Sequence, residues 1–161
     1  MEIKDSGTRR EFSTGAVRDI CEGKGRCDLL PLDVIGLYFG GQYGQILDHI
    51  DCFVRTHNLN HLEEAIEIFG DLNYCGDNET MILEVAKHFE AGCQKYGERN
   101  WEKGINVHCY IDSGVRHLLK YMRGDTDEPH DRAFVWNLLC CIWEVDYGEE
   151  WRSAVKAKET V

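Results

Sequence analysis

Apolar residues recur along this chain at spacings of three and four, and that period predicts helices almost throughout. Ile46, Leu47, Ile50, Phe53 and Val54 share one face of a helix over 44–56, and Leu62, Ala65, Ile66 and Phe69 share one over 59–70, stopped at Gly70. A longer helix over 79–96, capped by Asn78, turns Met81, Ile82, Val85, Phe89 and Cys93 inward. The next covers 107–123, with Ile111, Val115, Leu118, Leu119 and Met122 toward the core. Asp127 or Glu128 caps a last long helix that starts at Pro129 and buries Phe134, Leu138, Cys141 and Ile142; Gly148 ends it or opens a short helix through Lys158. A first short helix runs from Leu29 to Phe39, with Pro31 in its first turn and Gly40-Gly41 as its break.

No segment sustains a two-residue alternation, and no internal repeat is present. The expected fold is all-α, a compact bundle of five or six helices in a single domain over 1–161. Residues 1–28, polar and glycine-rich, form an extended N-terminal arm, and their composition alone fits a solvated tail. The 161 residues, 43% apolar with four Trp, suffice for one buried core, and two prolines leave room for long helices.

The net charge of −11 argues against general nucleic-acid binding, which needs a broad basic surface. The charge is unevenly spread. Residues 44–86 hold nine acids and one base, residues 87–124 seven bases and four acids, and residues 125–150 eight acids and one base. A basic stretch between acidic ones can hold a small anion, with a cation neutralising the flanks. The eight cysteines show no C-x-x-C spacing, so they read as reduced thiols, with Cys140 and Cys141 in the core. The polar opening residues carry no signal segment and no window is apolar enough to span a membrane, which predicts a cytoplasmic protein.

Five groupings carry candidate chemistry. Asp127 and His130, three residues apart at a helix start, can reach one divalent cation; capping is the simpler reading of Asp127 by itself. An oxygen–nitrogen pair suits Mn²⁺, Fe²⁺ or Zn²⁺ better than Mg²⁺ alone, and Asn137 lies on the same face. Arg116 and His117 form the second group; His117 is either a ligand or base lining a pocket beside Gly114, or a core histidine. Glu84 and His88, at i and i+4, form a third and weaker metal pair. Lys95, Arg99 and Lys103 surround Gly97, Asn100, Trp101 and Gly104, a loop that can grip phosphate and stack a base. In the arm, Ser13, Thr14, Arg18, Lys24 and Arg26 can fold over a bound phosphate. The Glu64-Ala-Ile-Glu67 spacing matches the E-x-x-E of all-α nucleotide pyrophosphohydrolases of the MazG type, and His130-Asp131, with His88 or His117 before it and Asp146 after, matches the order of HD-type phosphohydrolase ligands; both patterns are frequent by chance, so the first carries little weight and the second stands as a minor reading.

The runs Phe12-Ser13-Thr14-Gly15-Ala16-Val17-Arg18-Asp19, Gly23-Lys24-Gly25-Arg26-Cys27-Asp28-Leu29-Leu30-Pro31, Lys95 to Gly104, Arg116-His117-Leu118 and Gly124 through His130 to Asn137 resemble, in order, the phage-associated dATP/dGTP diphosphohydrolase (N-terminal domain) family. Residues 44–77 resemble a helical insertion found in some relatives. The resemblance implies a helical, metal-dependent enzyme, virus-encoded and working in the host cytoplasm, that cleaves a purine deoxynucleoside triphosphate to the monophosphate and pyrophosphate.

The expected site therefore has Asp127, His130 and Glu84 on a divalent cation (Mg²⁺ or Mn²⁺). His117 and Asn137 act in catalysis, and Arg18, Lys24, Arg26, Lys95, Arg99, Asn100, Trp101, Lys103, Arg116 and Lys120 hold the nucleotide. A homo-oligomer is expected. Two rivals remain: a non-catalytic sponge that sequesters a host signalling nucleotide in anti-phage defence, and an adaptor that docks a partner through the acidic 44–86 segment.

Overall fold

Seven α-helices follow a short β-hairpin in the computed structural model, which describes residues 7–160; residues 1–6 of the expected arm and Val161 lie outside the described residues. The helices are α1 Leu32–Phe39, α2 Gly41–Thr56, α3 Asn60–Tyr74, α4 Asn78–Tyr96, α5 Val107–Arg123, α6 His130–Trp143 and α7 Glu149–Glu159. A π turn over Glu144–Gly148 joins α6 to α7 without a break, so the described residues form six helical rods, as the apolar period predicts.

Local chemistry explains the helix ends. Asp77, not Asn78, caps α4: its Oδ1 accepts the Thr80 backbone N–H at 2.9 Å and its Oδ2 the Thr80 hydroxyl at 2.7 Å. The residue at the N-cap of α6 is Pro129, which makes no side-chain cap bond, so neither Asp127 nor Glu128 occupies that position. The α3 helix passes through Gly70 to Tyr74 because Gly70 packs against Met81, where a Cβ would lie 3.3 Å from the sulfur. The α1 helix starts three residues later than expected, after a 3₁₀ turn over Cys27–Leu29. Gly36 and Gly44 let α1 and α2 touch through their backbones; a Cβ on Gly44 would sit 2.3 Å from the Gly36 carbonyl oxygen.

The core follows the apolar faces. Ile46, Leu47, Ile50, Phe53, Leu62, Ala65, Phe69, Met81, Val85, Ile111, Val115, Leu118, Phe134 and Leu138 are buried, as are Cys140 and Cys141. Val54 and Ile82, 41% and 47% exposed at the edges of their helical faces, and Cys93, also exposed, are the exceptions. The α5 and α6 helices form the central pair, with α4 laid against α6. No helix among the described residues is long and apolar enough to cross a membrane.

Composition misjudges the arm. Its described part folds as the hairpin β1 Arg9–Glu11 and β2 Val17–Asp19, antiparallel with Arg10 opposite Arg18, and then turns into the loop before α1. Phe12 and Ala16 at its turn are buried in the main core. Two apolar anchors outweigh the polar residues around them.

Candidate functional site

Asn100 fixes the hairpin to the helices. It is 7% exposed, its Oδ1 accepts the Val17 N–H at 2.9 Å and its Nδ2 donates to the Val17 carbonyl at 2.8 Å. Lys95 donates to Asp19 Oδ2 at 2.7 Å and the Tyr96 hydroxyl to Asp19 Oδ1 at 2.9 Å. Thr14 adds a 2.7 Å bond from its hydroxyl to the Gly104 carbonyl. These bonds close one side of a cleft of about 420 Å³ between the hairpin, α4, the 97–105 loop, α5 and α6.

The cleft wall is aromatic. Trp101 meets Phe89 and Trp143 edge-on, at 5.6 and 4.9 Å between ring centroids, and Phe89 meets Trp136 at 5.9 Å. Trp136 in turn contacts Tyr110 at 6.1 Å and His88 at 5.3 Å. Interlocked rings of this kind hold their geometry without a ligand.

One cation crosses this wall. Arg18 extends from β2 over the rings of Tyr110 and Trp136, 5.2 and 5.8 Å from their centroids, and its Nη2 donates to Asn137 Oδ1 at 3.0 Å. No carboxylate pairs with it among the described residues, and its Nη1 is shielded from solvent without a hydrogen-bond partner. His88 Nδ1 and Trp136 Nε1 are in the same state, and both residues line the cleft. Burial first, then Arg132 and Arg18, lowers His88 to about 4, so at neutral pH it carries no charge. Polar groups left in this condition are costly and ask for an acceptor.

At one end of the cleft, His117 Nδ1 and His130 Nδ1 approach to 2.9 Å. Glu128 Oε2 lies 3.8 Å from the first and 3.9 Å from the second. The three donor atoms lie within 4.8 Å of one another, a set of two imidazoles and one carboxylate that fits a divalent cation. Burial, then the neighbouring His130, holds His117 well below the ordinary imidazole range, in the neutral form that ligates metals. His130 Nε2 faces Asp127 Oδ1 at 2.8 Å, and that hydrogen bond holds Asp127 at about 2. Asp125, Asp127 and His130 form a second, more exposed group, but Arg123 Nε already binds Asp125 at 2.8 Å.

Of the residues expected from sequence, Arg18, Lys24, Arg99, Asn100, Trp101, Arg116, His117, Lys120 and Asn137 line this one cleft, with Glu128 beside them at the threshold of α6. Several have other duties. Both polar ends of Asn100 are taken by Val17, and Asn137 binds Arg18 and donates to the Ala133 carbonyl at 2.8 Å, so neither is free to orient water. Arg116 bridges Asp112 at 2.6 Å and the Gly25 carbonyl at 2.7 Å. Arg99 pairs with Glu102 and covers the Trp101 ring at 5.5 Å.

The others fall outside the cleft lining, Asp127 and His130 among them, although His130 meets the cleft residue His117. Arg26 is spent on Asp28, Lys95 faces Asp19, and Lys103 is exposed. Glu84 binds Lys87 and lies 3.5 Å from Arg132, apart from the histidine cluster. Gly104 packs against Arg152 and Thr14 instead of opening toward a phosphate. Sequence reasoning passed over Glu128, read only as a cap, and Trp136; the Glu128-Pro129-His130 run is the signal that places a carboxylate beside the imidazole.

Residues 78–154 match the family model described as dATP/dGTP diphosphohydrolase, N-terminal. No curated protein and no solved structure matches the chain. The matched stretch supplies the walls of the cleft other than the hairpin and the loop that follows it, and through it the chain is similar to the dATP/dGTP diphosphohydrolase N-terminal family.

Proposed function

We propose that the cleft binds a purine deoxynucleoside triphosphate and hydrolyses it, with a divalent cation, to the monophosphate and pyrophosphate. The observation that carries this reading is Arg18, a cation with no carboxylate partner among the described residues, set among aromatic rings and beside two further shielded nitrogens that make no hydrogen bond there. A ligand that joins a flat ring system to an oxyanion answers both halves of that environment. The cleft, at about 420 Å³, falls within the size range of small-molecule sites.

The residues then divide the work. Trp101 and Trp136 offer faces and edges to the base. Arg18, Lys24 and Lys120 place positive charge where the leaving pyrophosphate gains negative charge. Asn100 and Lys95 hold the hairpin so that Arg18 is in position before the nucleotide arrives. His117, Glu128 and His130 hold the cation, which supplies charge beside the phosphoryl group and acidifies water. For a phage-encoded protein, the reaction reshapes the purine deoxynucleotide pool of the infected cell.

A second reading, capture without turnover, is favoured by one distance. At 2.9 Å, His117 and His130 also make a sound hydrogen bond, so this end of the cleft is complete without an ion. Incubation with each dNTP, with and without Mn²⁺, followed by chromatography separates the two. Release of dAMP or dGMP with pyrophosphate, only when Mn²⁺ is present, supports hydrolysis. Recovery of intact nucleotide bound to the protein refutes it in favour of capture.

A further inference from the structure

We infer that His117, Glu128 and His130 form a two-imidazole, one-carboxylate centre that takes a divalent transition-metal ion in preference to Mg²⁺, with Asp127 as the positioning residue that holds His130 for it. The inference rests on the reading above for the need of a cation. It goes further in the class of ion and in the role of Asp127.

The argument starts from the two nitrogens of His130. A carboxylate only accepts hydrogen bonds, so the nitrogen 2.8 Å from Asp127 Oδ1, Nε2, carries the proton. In the neutral ring the other nitrogen, Nδ1, then presents a lone pair. That lone pair faces His117 Nδ1 at 2.9 Å and Glu128 Oε2 at 3.9 Å. His130 is 1% exposed, so its ring is fixed by packing as well as by Asp127. Orienting a ligating imidazole through a carboxylate on its far nitrogen is a general device of metal sites.

Asp127 is ill placed to be a ligand of the same ion. Its Oδ1 is on the opposite edge of the His130 ring, and its Oδ2 lies 3.8 Å from Lys120 Nζ. Glu128 does line the cleft and completes the set. Two imidazoles among three protein ligands disfavour Mg²⁺, which prefers an octahedral shell of oxygens, and suit Mn²⁺, Co²⁺ or Zn²⁺.

The test uses the whole protein stripped of metal. Co²⁺ is titrated by visible absorption, and Mg²⁺ and Mn²⁺ by calorimetry. The expectation is binding of Co²⁺ and Mn²⁺ at least about tenfold tighter than Mg²⁺. Glu128→Gln should remove the Co²⁺ spectrum, and His117→Gln reports on the same centre if the first variant fails to fold by near-ultraviolet dichroism. Asp127→Ala should weaken Co²⁺ by about 10- to 100-fold without abolishing its spectrum, and Asp127→Asn should recover part of the loss. Nitrogen-15 spectra of the metal-free protein should show His130 protonated at Nε2, and a mixture of tautomers in Asp127→Ala.

Mg²⁺ binding as tight as Mn²⁺ overturns the proposal, and so does a Co²⁺ spectrum that folded Glu128→Gln leaves unchanged. Complete loss of Co²⁺ in Asp127→Ala, with the His130 tautomer unaltered, makes Asp127 a ligand and overturns its positioning role. Co²⁺ binding as described in a protein that hydrolyses no dNTP supports this centre while refuting the reaction. Metal-dependent turnover that folded Glu128→Gln and His117→Gln retain in full refutes the centre and spares the reaction.

Discussion

Acidification should destabilise this protein through His88 well before its carboxylates protonate. Burial, with Arg132 and Arg18 nearby, lowers this imidazole from 6.5 to about 4 in the folded state. The unfolded chain binds the proton more readily, so stability is full above pH 6.5 and drains away as the pH falls toward 4. Each pKa unit is worth about 1.4 kcal/mol, so the full contribution is roughly 3 kcal/mol, of which about 2 kcal/mol is gone by pH 5. The perturbation is His88→Gln, which cannot titrate. Glutamine loses the ring contact with Trp136, so the variant is weaker at every pH; the informative quantity is the change between pH 7.5 and 5.0. Urea unfolding in phosphate-free buffer at the two values should show the wild type losing about 2 kcal/mol more than the variant. His117 is depressed in the same direction, first by burial and then by His130, ahead of His88, so most of its contribution is common to both proteins and cancels in the difference. Equal losses in the two proteins would mean that His88 is not held neutral by the fold, and the electrostatic picture of the cleft floor would go with it.

Other substitutions probe the remaining steps. Asn100→Ala should cost about 1–3 kcal/mol by stripping Val17 of both backbone partners, and hydrogen exchange should accelerate at Val17 to Asp19 before it does in α5 or α6. Arg18→Gln should weaken nucleotide binding by about 10- to 100-fold in calorimetry yet leave thermal stability unchanged or higher, because it removes a shielded cation without a carboxylate partner. Gly44→Ala should lower stability by about 2–3 kcal/mol in chemical denaturation, since the added Cβ meets the Gly36 carbonyl oxygen at 2.3 Å.

The helices were legible because burial imposes a period, and Ile46, Leu47, Ile50 and Phe53 carry it without help from distant residues. Helix boundaries were less so. Asp77 and Asn78 are both good caps, and only the bond to Thr80 tells which one acts. The hairpin was misjudged for a different reason. Its three-residue strands are too short for alternation to register, and the anchors that hold it, Asn100, Lys95 and Gly104, lie more than seventy residues away in the chain.

The site divides along the same line. Residue types brought Arg18, His117 and His130 into the candidate set, because arginine suits phosphate and histidine beside acids suits a cation. Roles did not follow from type. Asn100, Asn137 and Arg116 look like ligand-binding groups in a list, yet their hydrogen bonds run to Val17, Ala133, Arg18, Asp112 and Gly25. Asp127 and Glu128 are neighbours of the same chemistry, and the turn before Pro129 sends one behind the His130 ring and the other into the cleft. A single peptide unit thus separates the residue that would touch the ion from the one that would aim its ligand. That distinction comes from backbone direction, which no spacing rule encodes.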